Sequence, residues 1–318
     1  MDVRQLRYFI AIVEARSFSR AAELLHVAQP ALSHHVRTME SDLGVQLLHR
    51  GARGVLPTEA GLRLLERAHV VDAEISFLYD HVRGRETRPT GDVRFGMPGT
   101  VSEQLGAALI ETARRNYPEI RIRIAEAMSG FVLNWLRDGE VDIALLYNAT
   151  DRTGLTMHHA LTEEIRLFGT PRIAGAPGGQ NVGLAASLRL PLILPSPGHG
   201  LRNLIDAAAD SIGKHVDPEI EIDSYRQIKH LVDRCLGFGM LPAMAIDQET
   251  RQGTLRSWRI ARPRLLRKIF LGYRADRPLS TASRAAGQLS WSILRDMVNS
   301  KAWEAEWTDQ DDVQLYSA

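Results

Sequence analysis

The sequence predicts an α+β multidomain chain: a small helical head, one long amphipathic helix and a two-lobed α/β body. Three observations predict it. The 318 residues suggest about two domains at a usual size of roughly 150 residues each. Apolar residues before position 83 recur at helical spacing, whereas beyond Asp92 strand-like runs alternate with helical ones. Between them, Arg83 to Gly91 is polar and carries Gly and Pro, the composition of a hinge.

Composition narrows the function classes. Cys235 is the single cysteine, which excludes a disulfide framework and a multi-thiolate metal site and fits a reducing compartment. Met1 to Arg7 is charged where a secretory signal would be apolar, so the expected location is cytoplasmic. The uncharged stretch Ile173 to Leu188 is broken by Gly175, Pro177, Gly178, Gly179 and Gly183, unlike a membrane span of about 20 apolar residues. With 39 basic and 38 acidic residues the total is near neutral, but the ends differ. Residues 301 to 318 set Lys301 against Glu304, Glu306, Asp309, Asp311 and Asp312, a period-free stretch expected to be an acidic mobile tail. The first 58 residues carry Arg4, Arg7, Arg16, Arg20, Arg37, Arg50 and Arg53 against Asp2, Glu14, Glu23, Glu40 and Asp42.

In the head, Leu6, Phe9, Ile10 and Val13 fall at i, i+3, i+4 and i+7 and mark an amphipathic helix. A short second helix follows, with Ser19 as its expected cap and an inner face of Ala21, Ala22, Leu24 and Leu25. Pro30 suits the first turn of a third helix, whose Leu32, Val36 and Met39 face inward. Gln29, Ser33 and Arg37 recur every four residues on the expected outer side with His34 beside them, all able to hydrogen bond to base edges or phosphates. That is a helix-turn-helix pattern. Leu47 to Arg50, a turn at Gly51 to Gly54, and Val55-Leu56 read as a hairpin with Arg50 and Arg53 at its tip, a wing placed for phosphates or the minor groove.

Thr58 stands at the start of the long helix with Glu59 in its first turn. Leu64, Ala68, Val71, Ile75, Leu78 and Val82 then alternate by four and three, a heptad seam that predicts pairing with a second helix; packing on the chain's own body is the other possibility. In the body, Val93 to Met97, Val101 to Arg115, Ile120 to Glu126, Gly130 to Arg137 and Ile143 to Tyr147 alternate as β-α-β units of a mainly parallel sheet. A second set begins near Ile165. Phe270 to Tyr273 is a late strand and Ser280 to Val298 a closing helix, returning the chain to the first lobe.

The first 61 residues resemble the DNA-binding domain of LysR-type transcriptional regulators. The matching residues are Leu6-Arg7-Tyr8-Phe9, Ser17-Phe18-Ser19-Arg20-Ala21-Ala22, Gln29-Pro30-Ala31-Leu32-Ser33, Met39-Glu40, Leu43-Gly44, Leu47, Arg50, Arg53 and Thr58-Glu59-Ala60-Gly61. The rest resembles the family's effector domain through Tyr117-Pro118, Gly139 to Ala144, Gly237 to Pro242 and Arg277 to Ser280. Pro191 to Pro195 with His199 to Arg202 looks like the branch containing nitrogen-assimilation control regulators. Ala28 stands where the family usually has a capping Ser or Thr, which should cost the third helix about 1 kcal/mol. His34 replaces a frequent Arg, and an imidazole cannot make the guanidinium fork to guanine. Leu48 replaces the usual wing phenylalanine.

The resemblance implies a winged helix-turn-helix domain at 1-58, a dimerising linker helix and hinge at 59-88, and a periplasmic-binding-protein-like effector domain. Its lobe I would be 91-165 with 267-300, and its lobe II 166-266. It implies that Gln29, Pro30, Ser33, His34, Arg37, Arg50 and Arg53 meet DNA. It also implies that Thr100, Ser102 and Ser129 from lobe I, with Ser196, His199 and Arg202 from lobe II, line an effector cleft. Gly99 to Ser102 lies between a strand and a helix, where free N–H groups and the helix dipole favour an anion, so a small anionic effector is expected. The implied partners are promoter DNA with an inverted repeat, a small molecule and further copies of the chain as dimer or tetramer, with room for a contact to RNA polymerase. No cofactor, metal or membrane is expected: His34-His35 and His158-His159 point apart and lack a third ligand at suitable spacing. The rival readings are a regulator governed by its own abundance, an enzyme and a solute-binding protein. Catalytic elbow, phosphate-loop and zinc-protease patterns are missing.

Overall fold

The computed structural model describes residues 1–51, 54–82, 89–147 and 152–308. They fall into two compact units, 1–87 and 88–318. The expected hinge at 83–88, Arg53 at the wing tip and the tail from 309 to 318 lie outside the described residues.

The first unit starts with α1 (Val3–Ala15), whose first turn is closed by a reciprocal capping box: Asp2 accepts from the Gln5 amide and Gln5 Oε1 from the Asp2 amide. Next come α2 (Phe18–Leu25) and α3 (Gln29–Leu43). Ser17, not Ser19, caps α2, because its extended backbone lets the hydroxyl reach the Arg20 amide, while Ser19 is already inside the helix. Ala28 precedes α3 without a side-chain cap. Leu6, Phe9, Ile12, Leu32, Val36 and Met39 form the core of this unit. Strands β1 (Leu48–Gly51) and β2 (Gly54–Pro57) pair antiparallel as the expected hairpin. Glu40 on α3 anchors its base by accepting from the amides of Leu47 and Leu48.

Helix α4 (Glu59–Val82) opens on Thr58, whose hydroxyl accepts from the Gly61 amide at 3.0 Å. Gly61 is required there: a Cβ would come within 2.0 Å of the Leu47 carbonyl oxygen. Along the seam, Ala68 is buried in the head core with Leu64 packed against it, whereas Val71 and Leu78 are exposed. The seam is therefore divided. Its first two positions pack on the chain itself, and Ala68 is not available to a partner helix.

The body contains β3 (Gly91–Pro98), α5 (Gly99–Asn116), β4 (Ile120–Ala127), α6 (Ser129–Asp138), β5 (Ile143–Tyr147) and β6 (Leu155–Gly169). It continues with β7 (Asn181–Gly183), α7 (Leu184–Ser187), β8 (Leu192–Leu194), α8 (Gly200–Asp210), β9 (Ile220–Glu221), α9 (Tyr225–Asp233) and β10 (Phe238–Pro242). A 3-10 turn (Ala243–Ile246), α10 (Asp247–Arg251), β11 (Arg256–Ala261), β12 (Leu266–Arg274), α11 (Thr281–Asn299) and β13 (Ala305–Trp307) complete it. Strand β3 is parallel to β4 and β5, and β8 is parallel to β9 and β10, as β-α-β units require.

The middle of the sheet departs from the expected parallel pattern. Strand β6 runs 15 residues and is antiparallel to every neighbour: β12 along its first two thirds, then β10 and β11 from Ile165 onward. It is shared by both lobes, and β12 returns to pair with β5. Its interior is apolar around Leu161, Ile165, Leu167 and Phe168, with Trp258 packed edge-on against Phe238.

The expected mobile tail is corrected in its first part. Trp303 is 1% exposed, and β13 pairs antiparallel with Glu163 to Leu161 of β6. The indole and this edge pairing hold residues that have no sequence period of their own. Among the described residues, no helix is long and apolar enough to cross a membrane.

Candidate functional site

On α3 the apolar residues Leu32, Val36 and Met39 are fully buried, which turns Gln29, Pro30, His34 and Arg37 to solvent. Ser33 does not join them. It is 6% exposed, because a spacing of four residues advances about 40° beyond a full turn and carries position 33 to the inner edge beside Leu32 and Val36. His35 is half-buried against Tyr8, their rings 5.2 Å apart. The Arg50 side chain lies outside the described residues, as does Arg53. The exposed face of α3 thus offers one guanidinium, one imidazole and one carboxamide, the donor and acceptor types that base edges and phosphates accept.

In the body, a cavity of about 220 Å³ opens at the carboxyl ends of the parallel strands of both lobes, where ligands bind in open α/β sheets. Pro98, Gly99 and Thr100 come from the β3 to α5 turn, Glu126 to Ser129 from the β4 to α6 turn, and Tyr147 from the end of β5. The other lobe adds Pro195, His199 and Leu201 before and within α8, then Asp223 to Tyr225 at the start of α9. The N-termini of four helices therefore converge, and those of α5 and α6 carry no side-chain cap. The first-turn N–H groups and helix dipoles favour negative charge here, set against the carboxylates of Glu126 and Asp223, which line the same cavity.

Arg267 of β12 forms the floor. It faces Glu163 directly across the β6–β12 register, and both are buried, with side-chain exposures of 3% and 0%. Arg267 Nε donates to Glu163 Oε1 at 2.7 Å, and Nη2 donates to Thr100 Oγ1 at 3.3 Å. The guanidinium lies 3.7 Å from the centre of the Tyr147 ring, a cation–π stack. Burial alone would lower the Arg267 pKa, but Glu163 and Tyr147 more than offset it, so the group stays charged. Burial pushes the Tyr147 phenol up to about 12, against a smaller opposing pull from Arg267. Tyr147 is thus neutral, and its hydroxyl is hydrogen bonded with Thr100 Oγ1.

Thr100, Ser129 and His199 line the cavity, and the Ser129 hydroxyl accepts from the Tyr147 amide at 3.2 Å. His199 caps α8, with Nδ1 accepting from the Leu201 amide at 3.1 Å. Burial, and to a lesser extent Arg267, hold its pKa below the usual value. Ser102 and Ser196 do not line the cavity. Ser102 lies further along α5, and Ser196 donates its amide to Asp223 Oδ1 while its carbonyl accepts from the His199 amide.

Arg202 is likewise absent from the cleft. It is 5% exposed and turned into its own lobe, where it donates to Asp206, Glu221 and the Pro195 and Val216 carbonyls. It is a structural pin, since its guanidinium fork is consumed by four partners. Sequence reading missed Tyr147, Glu163 and Arg267. Only Tyr147 carried a signal, at the end of an apolar strand; Glu163 and Arg267 are joined by a register 104 residues long. Among the described residues, no group of three or more His, Cys, Asp or Glu side chains is placed to hold a metal ion.

Residues 3–62 match the model of the bacterial regulatory helix-turn-helix proteins of the lysR family, and residues 86–290 match the LysR substrate binding domain. The chain is 33% identical over 307 residues to the nitrogen assimilation regulatory protein nac of Escherichia coli K12, covering 95% of this chain and 98% of that one. Among solved structures, an OxyR cysteine variant from Corynebacterium glutamicum is 26% identical with a TM-score of 0.69, covering 95% of this chain and 96% of that one. Full-length OxyR from Pseudomonas aeruginosa, also a cysteine variant, has a TM-score of 0.73 at 22% identity, covering 98% and 99%. The head, the strand-end cleft and these matches over nearly the whole length agree: the chain belongs to the lysR family and is a LysR-type transcriptional regulator with an effector-binding domain.

Proposed function

We propose that two copies of this chain pair along the exposed part of α4 and present two α3 helices to an inverted repeat in promoter DNA, in the cytoplasm, while a small anionic molecule in the cleft sets the DNA affinity. The observation that carries the DNA reading is the polar face of α3, where His34, Arg37 and Gln29 are exposed opposite fully buried Leu32, Val36 and Met39. Val71 and Leu78, exposed on α4, support pairing in register with the heptad seam. The uncapped N-termini of α5 and α6, with the Arg267 guanidinium bonded to Thr100 in the first turn of α5, support an anionic ligand. Ligand and DNA affinity are then coupled by linkage, typically 1 to 3 kcal/mol.

Glu163 already neutralises Arg267. That favours a second reading, in which the cleft stays empty and the regulator acts through its own abundance. Footprinting the region upstream of its own gene, with and without a panel of small carboxylic acids, tests both. Protection of two half-sites about one helical turn apart, altered by an acid of the panel, is expected. Protection that no member of the panel alters selects the second reading. No protection of any promoter fragment overturns both.

Arg37 and Arg53 are assigned different work. Arg53→Ala should weaken binding to all duplexes and reduce the salt slope by about 1, while Arg37→Ala should cost about 1–3 kcal/mol at the specific site alone. Fluorescence anisotropy on specific and scrambled duplexes over a salt series separates them. Equal losses of specific and scrambled binding for Arg37→Ala would contradict its assignment to base edges.

A further inference from the structure

Behind the cleft floor, the Glu163–Arg267 pair has an unusual division of oxygens. Arg267 directs Nε and Nη2 to the single oxygen Oε1, although a guanidinium fork ordinarily takes both oxygens of a carboxylate. The second oxygen is already held: Oε2 accepts from the Trp303 indole N–H at 3.0 Å. Trp303 lies beyond α11, on the segment that leads into β13, and is itself buried. A file of buried polar contacts therefore runs from Thr100 and Tyr147 in the cleft wall, through Arg267 and Glu163, to the C-terminal segment.

Against the β13 pairing and the buried indole, two features weaken the hold of this segment on its seat. It is latched by surface charge, with Glu304 paired to Arg166 and Arg259, and Glu306 to Arg264 at 3.9 Å. Glu304 and Glu306 are 55% and 75% exposed, so salt weakens these pairs. A second cavity, of about 450 Å³, lies between the segment and the Ala243–Ile246 turn, lined in part by Met244, Val298 and Trp303. A side chain beside such a space lacks close packing there and has room to move.

We propose that Trp303 is a positioning residue of the effector cleft, acting through Glu163. With the segment docked, the indole holds Oε2, and Arg267 is fixed against Thr100 and Tyr147. With the segment undocked, both carboxylate oxygens turn to the guanidinium, the fork closes on Glu163, and Thr100 loses its bond from Arg267. The C-terminal segment is thereby a second input to the cleft, independent of whatever enters by its mouth. This inference rests on the cleft being the effector site.

Hydrogen exchange of the full-length protein, followed by mass spectrometry on peptides covering the start of α5 and β5, tests it without an effector or DNA. Trp303→Phe keeps the aromatic filling and removes the donor, so exchange in the first turn of α5 should quicken about tenfold, the equivalent of one lost hydrogen bond to a charged group. Trp258→Phe is the control, since it removes another buried indole donor, one bonded to the Pro177 carbonyl and not to Glu163 or to the C-terminal segment. It should leave that turn unchanged. Glu304→Gln, which only loosens the latch, should quicken the same peptides, and Trp303→Phe combined with Glu163→Gln should do no more than Glu163→Gln alone.

Unchanged exchange at α5 in both Trp303→Phe and Glu304→Gln, an equal rise in Trp258→Phe, or additive effects in the double variant would each overturn the proposal. Glu304→Gln decides the matter if Trp303→Phe does not fold. The outcomes stay separable from the reading of the cleft: wild-type protein that binds no acid of the panel removes the anionic effector and leaves the exchange result standing. An acid that binds while exchange is unmoved by the variants removes only the role of Trp303.

Discussion

His199 Nδ1 accepts the Leu201 N–H at the start of α8, which an imidazolium cannot do. Its pKa is lowered by burial, so the folded protein holds this ring neutral more firmly than the unfolded chain does. The stability it supports is complete above the ordinary histidine value of 6.5 and is lost as pH falls from there through the lower value of the folded state. His158 and His159 are lowered by burial too and add in the same direction. His199→Asn keeps an acceptor at the cap without titrating. Thermal melts of the variant between pH 7 and pH 5 should therefore lose about 1 kcal/mol less than wild type.

Arg202 and Arg267 are both buried guanidiniums, with different duties. Arg202→Ala leaves Glu221 and two carbonyls without a donor and should cost about 2–3 kcal/mol, discounted because Asp206 and Glu221 are partly exposed. Isothermal titration with any acid found to bind should show unchanged affinity in the folded Arg202→Ala protein. Affinity should be lost in Arg267→Ala, whose side chain lines the cleft.

At the scale of elements, α4 has two kinds of seam. Ala68 belongs to the head core, while Leu78 is exposed. Leu78→Glu should turn a dimer into a monomer in sedimentation while leaving the melting of the head intact. Ala68→Glu buries an unpaired charge and should unfold the head. An unchanged dimer in Leu78→Glu would remove α4 as the pairing element. Helix α3 offers a converse test: Ala28 supplies no cap, so Ala28→Ser should stabilise the head by about 0.5–1 kcal/mol in denaturant titration.

At the scale of the whole molecule, the head and the body each have their own buried core, drawn from separate residues among those described. Residues 88–318 expressed alone should therefore unfold cooperatively, with the same melting temperature as the body transition of the full chain. Calorimetry checks this. Within the body, the strand shared by both lobes has a thermodynamic consequence. Neither lobe can lose β6 without opening the other's sheet, so ligand at the cleft works on a single cooperative body.

Much of this was legible in the sequence because it rests on local period and local chemistry. The spacing of Leu6, Phe9, Leu32 and Val36 places the head helices, Thr58 and Glu59 open α4, and Thr100 and Ser129 fall at strand-to-helix turns whatever the distant chain does. Tertiary structure alone decided which outward-spaced residue is covered, which arginine faces the cleft and where the C-terminal residues go. Ser33 is covered by neighbours from the head core, Arg202 is captured by its own lobe, and Arg267 reaches Thr100 only because β12 returns beside β6. Trp303 finds Glu163 across 140 residues. The physical reason is range: helix period and capping act over three or four residues, whereas a buried ion pair is selected by sheet register, which no local pattern encodes.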